Sequence, residues 1–302
     1  MKAQLNLQKP FHSISLFNSG VCGAKMSIGA NRSYATMPPS RKKLVIPPLD
    51  FKNDLKHTAT LRIAPWVIPH DEKRAKGGED SYFISADGTV FGVFDGVGGW
   101  IESGVDPKQY SYNLSEECRK AVDTECLTDP LDILQYGWDR STHVIGSCTA
   151  CIVCINGRHL EAINVGDSGF RVIRDKKLAL ASKEQQHAFN TPFQLGTMSE
   201  DRPQHGDRYK FTLQDGDYVI LGTDGLFDNL DTPGLLQLLQ AHHREKNIQT
   251  MAEYIANEAY TISKNQRAHT PFAQAAIKQG YFNFLGGKED DITVIAVKYQ
   301  EM

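Results

Sequence analysis

Short apolar runs that meet an aspartate beside glycine recur along this chain, and this restricts its fold more than any other feature. Phe91-Gly92-Val93-Phe94 runs into Asp95-Gly96-Val97-Gly98-Gly99, and Leu221-Gly222-Thr223 into Asp224-Gly225-Leu226-Phe227-Asp228. Asn164-Val165-Gly166-Asp167-Ser168-Gly169 has the same form. Gly77-Gly78-Glu79-Asp80 and Glu289-Asp290-Asp291-Ile292-Thr293 place acids where a run begins. Such short runs have the length of buried strands, so each acid sits at a sheet margin. Carboxylates gathered there are costly unless cations neutralise them. Hard divalent ions take oxygen ligands and keep waters, and glycine lets backbone carbonyls approach an ion. Several such segments therefore point to a carboxylate-rich centre for Mn²⁺ or Mg²⁺. A single pair such as Asp87-Gly88 reads only as a turn.

The strands arrive as hairpins. Ser81–Ser85 and Thr89–Phe94 flank Asp87-Gly88, and Ala150–Ile155 and Leu160–Val165 flank Asn156-Gly157. Phe170–Ile173 pairs with Lys177–Ala181, while Tyr218–Leu221 and Ile292–Val297 stand alone. Helices fall between these groups. Asp106-Pro107 and Asp129-Pro130 are N-caps with proline at the first position, opening helices to about Val122 and His143. Asp231 caps a helix over 234–243, and the spacing of Met251, Tyr254, Ile255, Ala259 and Ile262 predicts one over Ile248–Lys264. Hairpins with paired helices favour an α+β fold with antiparallel sheet over alternating βαβ units.

Charge divides the chain. Its 33 bases and 36 acids give a net charge of −3, which excludes a general basic field for nucleic acid. No acid precedes Asp50, where an even spread would place about six. The same stretch carries seven bases, from Lys2 to Lys43, and six serines. This is the composition of an organelle transit peptide. Arg32-Ser33-Tyr34-Ala35 resembles a matrix-peptidase site, and cleavage after Tyr34 would leave 29 bases against 36 acids, a charge of −7. The organisation expected is a mitochondrial transit peptide at 1–34, a proline-bearing linker at 35–54 and one domain at 55–302. The early uncharged stretch from Pro10 to Ala24 is shorter than the roughly 20 residues of a membrane span, so no membrane span is expected.

Glu79-Asp80, Asp95-Gly96-Val97-Gly98-Gly99, Gly146-Ser147-Cys148-Thr149-Ala150, Gly166-Asp167-Ser168, Thr223-Asp224-Gly225 and Asp290-Asp291-Ile292-Thr293 together resemble, in order, the metal-dependent protein phosphatases of type 2C. Gly104-Val105-Asp106-Pro107, Glu184–His187 and Phe189–Leu195 resemble that family's mitochondrial branch. The resemblance implies a four-layer α-β-β-α sandwich, two antiparallel sheets flanked by helices. It implies two Mn²⁺ or Mg²⁺ ions per chain, with Asp95 bridging both. The Gly96 carbonyl would ligate one, and Asp224 and Asp290 the other. Glu79 and Asp80 would hold metal-bound water, and Asp167 with Asp224 would serve a weaker third ion. The activity implied is hydrolysis of phosphoserine or phosphothreonine in mitochondrial matrix proteins by a metal-activated water, with Asp95, Asp224 and Asp290 at its centre.

Three positions depart from the pattern. Val97 stands where many relatives have a histidine thought to protonate the leaving group; metal-bound water is the first substitute and His187 the second. Ala75 stands where relatives carry a phosphate-binding arginine, leaving Arg74 as the phosphate candidate, or Lys73. Asp290-Asp291 replaces the usual Asp-Asn, and the ligand is placed on Asp290. Val97 and Ala75 keep open a catalytically weak relative acting as a mitochondrial binding or adaptor protein. Less favoured is a hydrolase of small phosphoesters. Cys148, Cys151 and Cys154 have a cluster-like spacing, but on a strand residues three apart face opposite sides. They read as buried packing residues.

Overall fold

In the computed structural model, residues 59–282 and 284–301 are described. The expected transit segment 1–34, the linker 35–54, positions 55–58 and Cys22 lie outside the described residues. Strand β1 (Ala59–Ile68) leads to a 3-10 turn, Asp71–Lys76, then to β2 (Ser81–Ile84) and β3 (Val90–Phe94). Helices α1 (Pro107–Asp123) and α2 (Pro130–Ser141) follow. Next come β4 (Ser147–Cys148), β5 (Ala150–Asn156), β6 (His159–Val165), β7 (Gly169–Arg174) and β8 (Lys177–Ala181). Three short strands, β9 (Gln186–Ala188), β10 (Thr191–Pro192) and β11 (Leu195–Gly196), precede β12 (Asp207–Thr212) and β13 (Tyr218–Gly222). Then α3 (Asp224–Phe227), α4 (Thr232–Ala241), α5 (Ile248–Ser263) and α6 (Pro271–Lys278) lead to β14 (Ile292–Glu301).

The longer strands form two antiparallel five-stranded sheets, ordered β1-β14-β13-β7-β8 and β12-β6-β5-β3-β2. Phe91, Val93, Cys151, Phe170, Val219, Leu221, Ile295 and Val297 fill the space between them. A second core packs Leu114, Cys118, Ile133 and Leu134 of α1 and α2 on the outer face of one sheet. A third packs Leu235, Met251, Ile255 and Ala259 of α4 and α5 on the other. This is the α-β-β-α layering expected of the fold. Cys148 and Cys154 face α1 and α2 while Cys151 faces the other sheet, so the three thiols do not converge.

The caps act as read. Asp106, Asp129 and Asp231 accept from the backbone N–H groups of Lys108, Leu131 and Gly234 at 3.1, 2.9 and 2.8 Å. Thr270-Pro271 does the same for α6, with Thr270 Oγ1 accepting from Ala273 N at 3.1 Å, a signal the sequence reading passed over. Strands β1 and β12 have no comparable signal in the sequence. Both are edge strands; one contains Pro65 and the other reads Asp-Arg-Tyr-Lys-Phe-Thr. Edges tolerate proline and charge, which hides them from a pattern built on buried strands.

Register gathers the acidic segments. Val93 opposes Cys151 and Ser81 opposes Phe94, so β3 ends beside the starts of β2 and β5. Gly222 opposes both Gly169 and Val294, so β13 ends beside the starts of β7 and β14. The turn from β6 to β7 joins the sheets at this same margin. Asp80, Asp95, Asp167, Asp224 and Asp290 therefore share one end of the sandwich.

Candidate metal centre

Asp95, Asp167 and Asp224 each present a ligand atom, and these atoms lie within 4.8 Å of one another. Asp95 is fixed by its backbone: its N–H donates to Thr149 Oγ1 at 3.2 Å and its carbonyl accepts from Thr149 N at 2.9 Å. Gly96 bridges to Cys148. A Cβ on Gly96 would lie 2.7 Å from the Glu79 carbonyl and 2.9 Å from that of Pro107. Only glycine fits there. Thr223 Oγ1 donates to Asp80 Oδ2 at 2.7 Å, linking the β13 terminus to the start of β2. Ser111 Oγ donates to the Glu79 carbonyl at 2.6 Å, and Lys108 Nζ donates to that of Asp80.

The two acids of the Asp290-Asp291 pair do different things. Asp291 is buried. Its Oδ1 accepts from His70 N at 2.8 Å and its Oδ2 from Glu79 N at 2.8 Å. It pins both ends of the segment that carries Lys73 and Glu79. Asp290 is half-buried and faces two ammonium groups, Lys288 at 3.4 Å and Lys73 at 3.7 Å.

Lys288 and Asp228 also belong to this centre, though no local sequence signal marks either. Lys288 Nζ contacts Asp224 Oδ2 and lies 2.7 Å from Asp228 Oδ2. Its side chain is 15% exposed. Burial alone would lower this ammonium, but Asp224, Asp228 and Asp290 outweigh it and hold it well above its ordinary value. Lys73 Nζ is 2.7 Å from Glu79 Oε2 and 3.4 Å from Asp291 Oδ2. Burial opposes its charge too, and Asp290, Asp291 and Glu79 raise it on balance. Arg74, the phosphate candidate, is 60% exposed and paired with Asp71 at 2.7 Å. Among the bases of that turn it is Lys73 that reaches the centre. A cavity of about 430 Å³ opens beside it, lined by Lys73, Lys76, Glu79, Ile101, Val105 and Pro107 among others.

His187 is bound to Asp201, with Nε2 at 2.9 Å from Oδ2, and its ring stacks on Phe193. Val97 is buried, its N–H donating to the Ser147 carbonyl at 2.9 Å. Ala75 is exposed in the 3-10 turn.

The cluster fits divalent cations on its own evidence. Burial pushes the Asp80 and Asp95 carboxyls well above the usual range, and neighbouring carboxylates add to the rise: Asp291 for Asp80, Asp224 for Asp95. Asp224 Oδ1 is buried without a hydrogen-bond partner. All the donors are oxygen, as hard cations require.

Comparison with known proteins places these features in a family. A family model described as "Stage II sporulation protein E (SpoIIE)" matches residues 86–300. "Protein phosphatase PTC7 homolog" of Homo sapiens is 39% identical over 246 residues, covering 74% of this chain and 80% of its own. "Probable protein phosphatase 2C 55" of Arabidopsis thaliana is 40% identical over 233 residues, covering 76% of this chain. The match spans 49% of that protein and 56% of a second Arabidopsis relative, so this chain accounts for about half their length. Among solved structures, "X-ray structure of the photosystem II phosphatase PBCP" superposes with a TM-score of 0.75 at 28% identity, covering 79% of this chain and 98% of that one. The catalytic domain of the phosphatase PstP, solved with two manganese ions, superposes at 0.59 and 17% identity, covering 80% of this chain and 100% of that one. That likeness is one of fold.

Proposed function

The chain belongs to the metal-dependent (type 2C) protein phosphatases, and on that premise we propose that it hydrolyses phosphoserine and phosphothreonine in mitochondrial proteins. The observation that carries this is the convergence of Asp95, Asp167 and Asp224 at one margin of the sandwich. Asp95, the Gly96 carbonyl, Asp224 and Asp290 would hold two Mn²⁺ or Mg²⁺ ions, with Glu79, Asp80 and Asp167 around them. When bound, such ions supply a water acidic enough to ionise near neutral pH and offset phosphoryl charge.

The chain's own residues do the rest. Thr149, Thr223 and Ser111 fix the backbone or carboxyl of Asp95, Asp80 and Glu79. The ligand oxygens are thus placed before substrate arrives, which lowers the reorganisation needed in the reaction. Lys73 stands where the cavity meets the carboxylates and can offset the phosphate of an entering phosphopeptide. Arg74, held on the outside by Asp71, is not so placed. Ile101, 55% exposed on the cavity wall, offers an apolar contact to residues flanking the phosphate. No imidazole is available at Val97 to protonate the leaving alkoxide.

Phosphate release from phosphopeptides by the full chain tests this reading, with Mn²⁺, with EDTA, and as Asp95→Ala. Release that needs Mn²⁺ and is lost in the variant is expected; none from any phosphopeptide refutes it. The mitochondrial assignment is supported by the acid-free, base-bearing N-terminus. N-terminal sequencing of the organelle-resident protein checks it, and an intact residue 1–34 segment would count against cleavage after Tyr34.

A further inference from the structure

Lys288 is built into the centre, with its backbone held and its ammonium among carboxylates. Its backbone is clamped by one buried side chain: Lys288 N donates to Asn229 Oδ1 at 2.9 Å, and Asn229 Nδ2 donates to the Lys288 carbonyl at 2.8 Å. The same Nδ2 lies 2.9 Å from the carbonyl of Gly225. Lys288 is thereby fixed to the turn that carries Asp224. Ahead of it, Gly287 N donates to the Asn265 carbonyl at 2.9 Å, and a Cβ on Gly287 would lie 2.3 Å from the Ile262 carbonyl. The chain can reach the centre by this route only because residue 287 has no side chain. The ammonium lies 5.1 Å from the Phe272 ring centroid and ends among Asp224, Asp228 and Asp290.

We propose that Lys288 is a resident cation of this centre: its tethered ammonium, paired with Asp228, takes the cation position beside Asp224 that a further divalent ion would otherwise fill. This rests on the metal-centre reading above. An ammonium is a compact single charge with three donors and no ligand-exchange chemistry. It offsets one of the two negative charges of Asp224 and Asp228 permanently, without depending on metal supply. Asp228 then serves as the counter-ion of Lys288, which accounts for a carboxylate that the expected ligand set leaves unused.

Mn²⁺ titration of the chelated full chain tests this, with calorimetry and the electron-paramagnetic signal of free Mn²⁺ as readouts. Lys288→Met leaves Asp228 without its partner, so Lys288→Met/Asp228→Asn is titrated beside it and Lys288→Arg serves as the charge-keeping control. The double variant, whose local charge equals that of wild type, is expected to bind one more Mn²⁺ per chain, or to bind its weakest Mn²⁺ about tenfold more tightly, because the position beside Asp224 is vacated. Lys288→Arg is expected to keep the wild-type count. Equal stoichiometry and affinity in wild type and double variant, or weaker binding in the variant, overturns the proposal. Wild type that binds no Mn²⁺ at all overturns the metal-centre reading instead, so the two failures are distinct.

Discussion

Replacing Asp291 with asparagine separates scaffolding from ligation within the acidic pair. Asp291 accepts from two backbone N–H groups, His70 and Glu79, one on each carboxylate oxygen, both at 2.8 Å. An asparagine has one oxygen, so it can serve one donor and must turn an NH₂ toward the other. A buried donor left unpaired costs about 1–3 kcal/mol, and the lost charge on the remaining bond adds to this. A loss of about 2 kcal/mol lowers the melting temperature by roughly 4–8 °C in a domain of this size. The assay is thermal unfolding in EDTA, followed by circular dichroism, with Mn²⁺ affinity measured separately. The fall is expected in EDTA, where no metal contributes. Asp290→Asn, which removes a carboxylate facing Lys73 and Lys288, is expected to cost mainly Mn²⁺ affinity. An Asp291→Asn protein whose metal-free melting is unchanged within about 1 °C, while its Mn²⁺ binding collapses, would show that Asp291 is a ligand and that the scaffold argument is wrong.

Further measurements bear on the same centre. Gly96→Ala places a Cβ 2.7 Å from the Glu79 carbonyl; overpacking of this kind costs about 1–3 kcal/mol, and calorimetry is expected to show weaker Mn²⁺ binding, whereas wild-type affinity would remove Gly96 from the ligand set. Asp80 and Asp95 hold protons more tightly folded than unfolded, burial being the first cause. Above the ordinary value of 3.8 the folded chain therefore binds more protons than the unfolded one, and these groups make stability fall as pH rises. In EDTA the melting temperature is expected to be higher at pH 5 than at pH 7.5, with Mn²⁺ reversing the order; a rise toward pH 7.5 in EDTA contradicts the reasoning. Burial pushes the Cys118, Cys148, Cys151 and Cys154 thiols up, while Cys126 is exposed. Among the described cysteines, iodoacetamide is expected to label Cys126 alone in the native protein, as mass spectrometry would read; rapid labelling at Cys148 or Cys154 would contradict the packing assignment.

Hairpins and the placement of the acidic side chains were legible because both depend on local chemistry. Asp-Gly and Asn-Gly turns name their own hairpins, and apolar runs that stop at Asp95 and Asp224 place those carboxylates at a margin whatever the partner strand. The edge strands β1 and β12 were not legible, because Pro65 and the polar pattern of β12 are what an edge permits and a buried strand forbids. What offsets the carboxylates was hidden for a different reason. Lys288 meets Asp224 and Asp228 across 64 and 60 residues of chain, and nothing local distinguishes it from any lysine beside an acidic run. Asp291 meets His70 and Glu79 across more than 200 residues. The sequence supplies the anionic half of this centre in recognisable segments, while its protein-borne cations, Lys73 and Lys288, arrive by tertiary packing. A reading that counts only aspartates must then assign all of their neutralisation to metal. With two ammonium groups inside the cluster, the number of divalent ions it takes becomes a property of lysine placement as much as of ligand count.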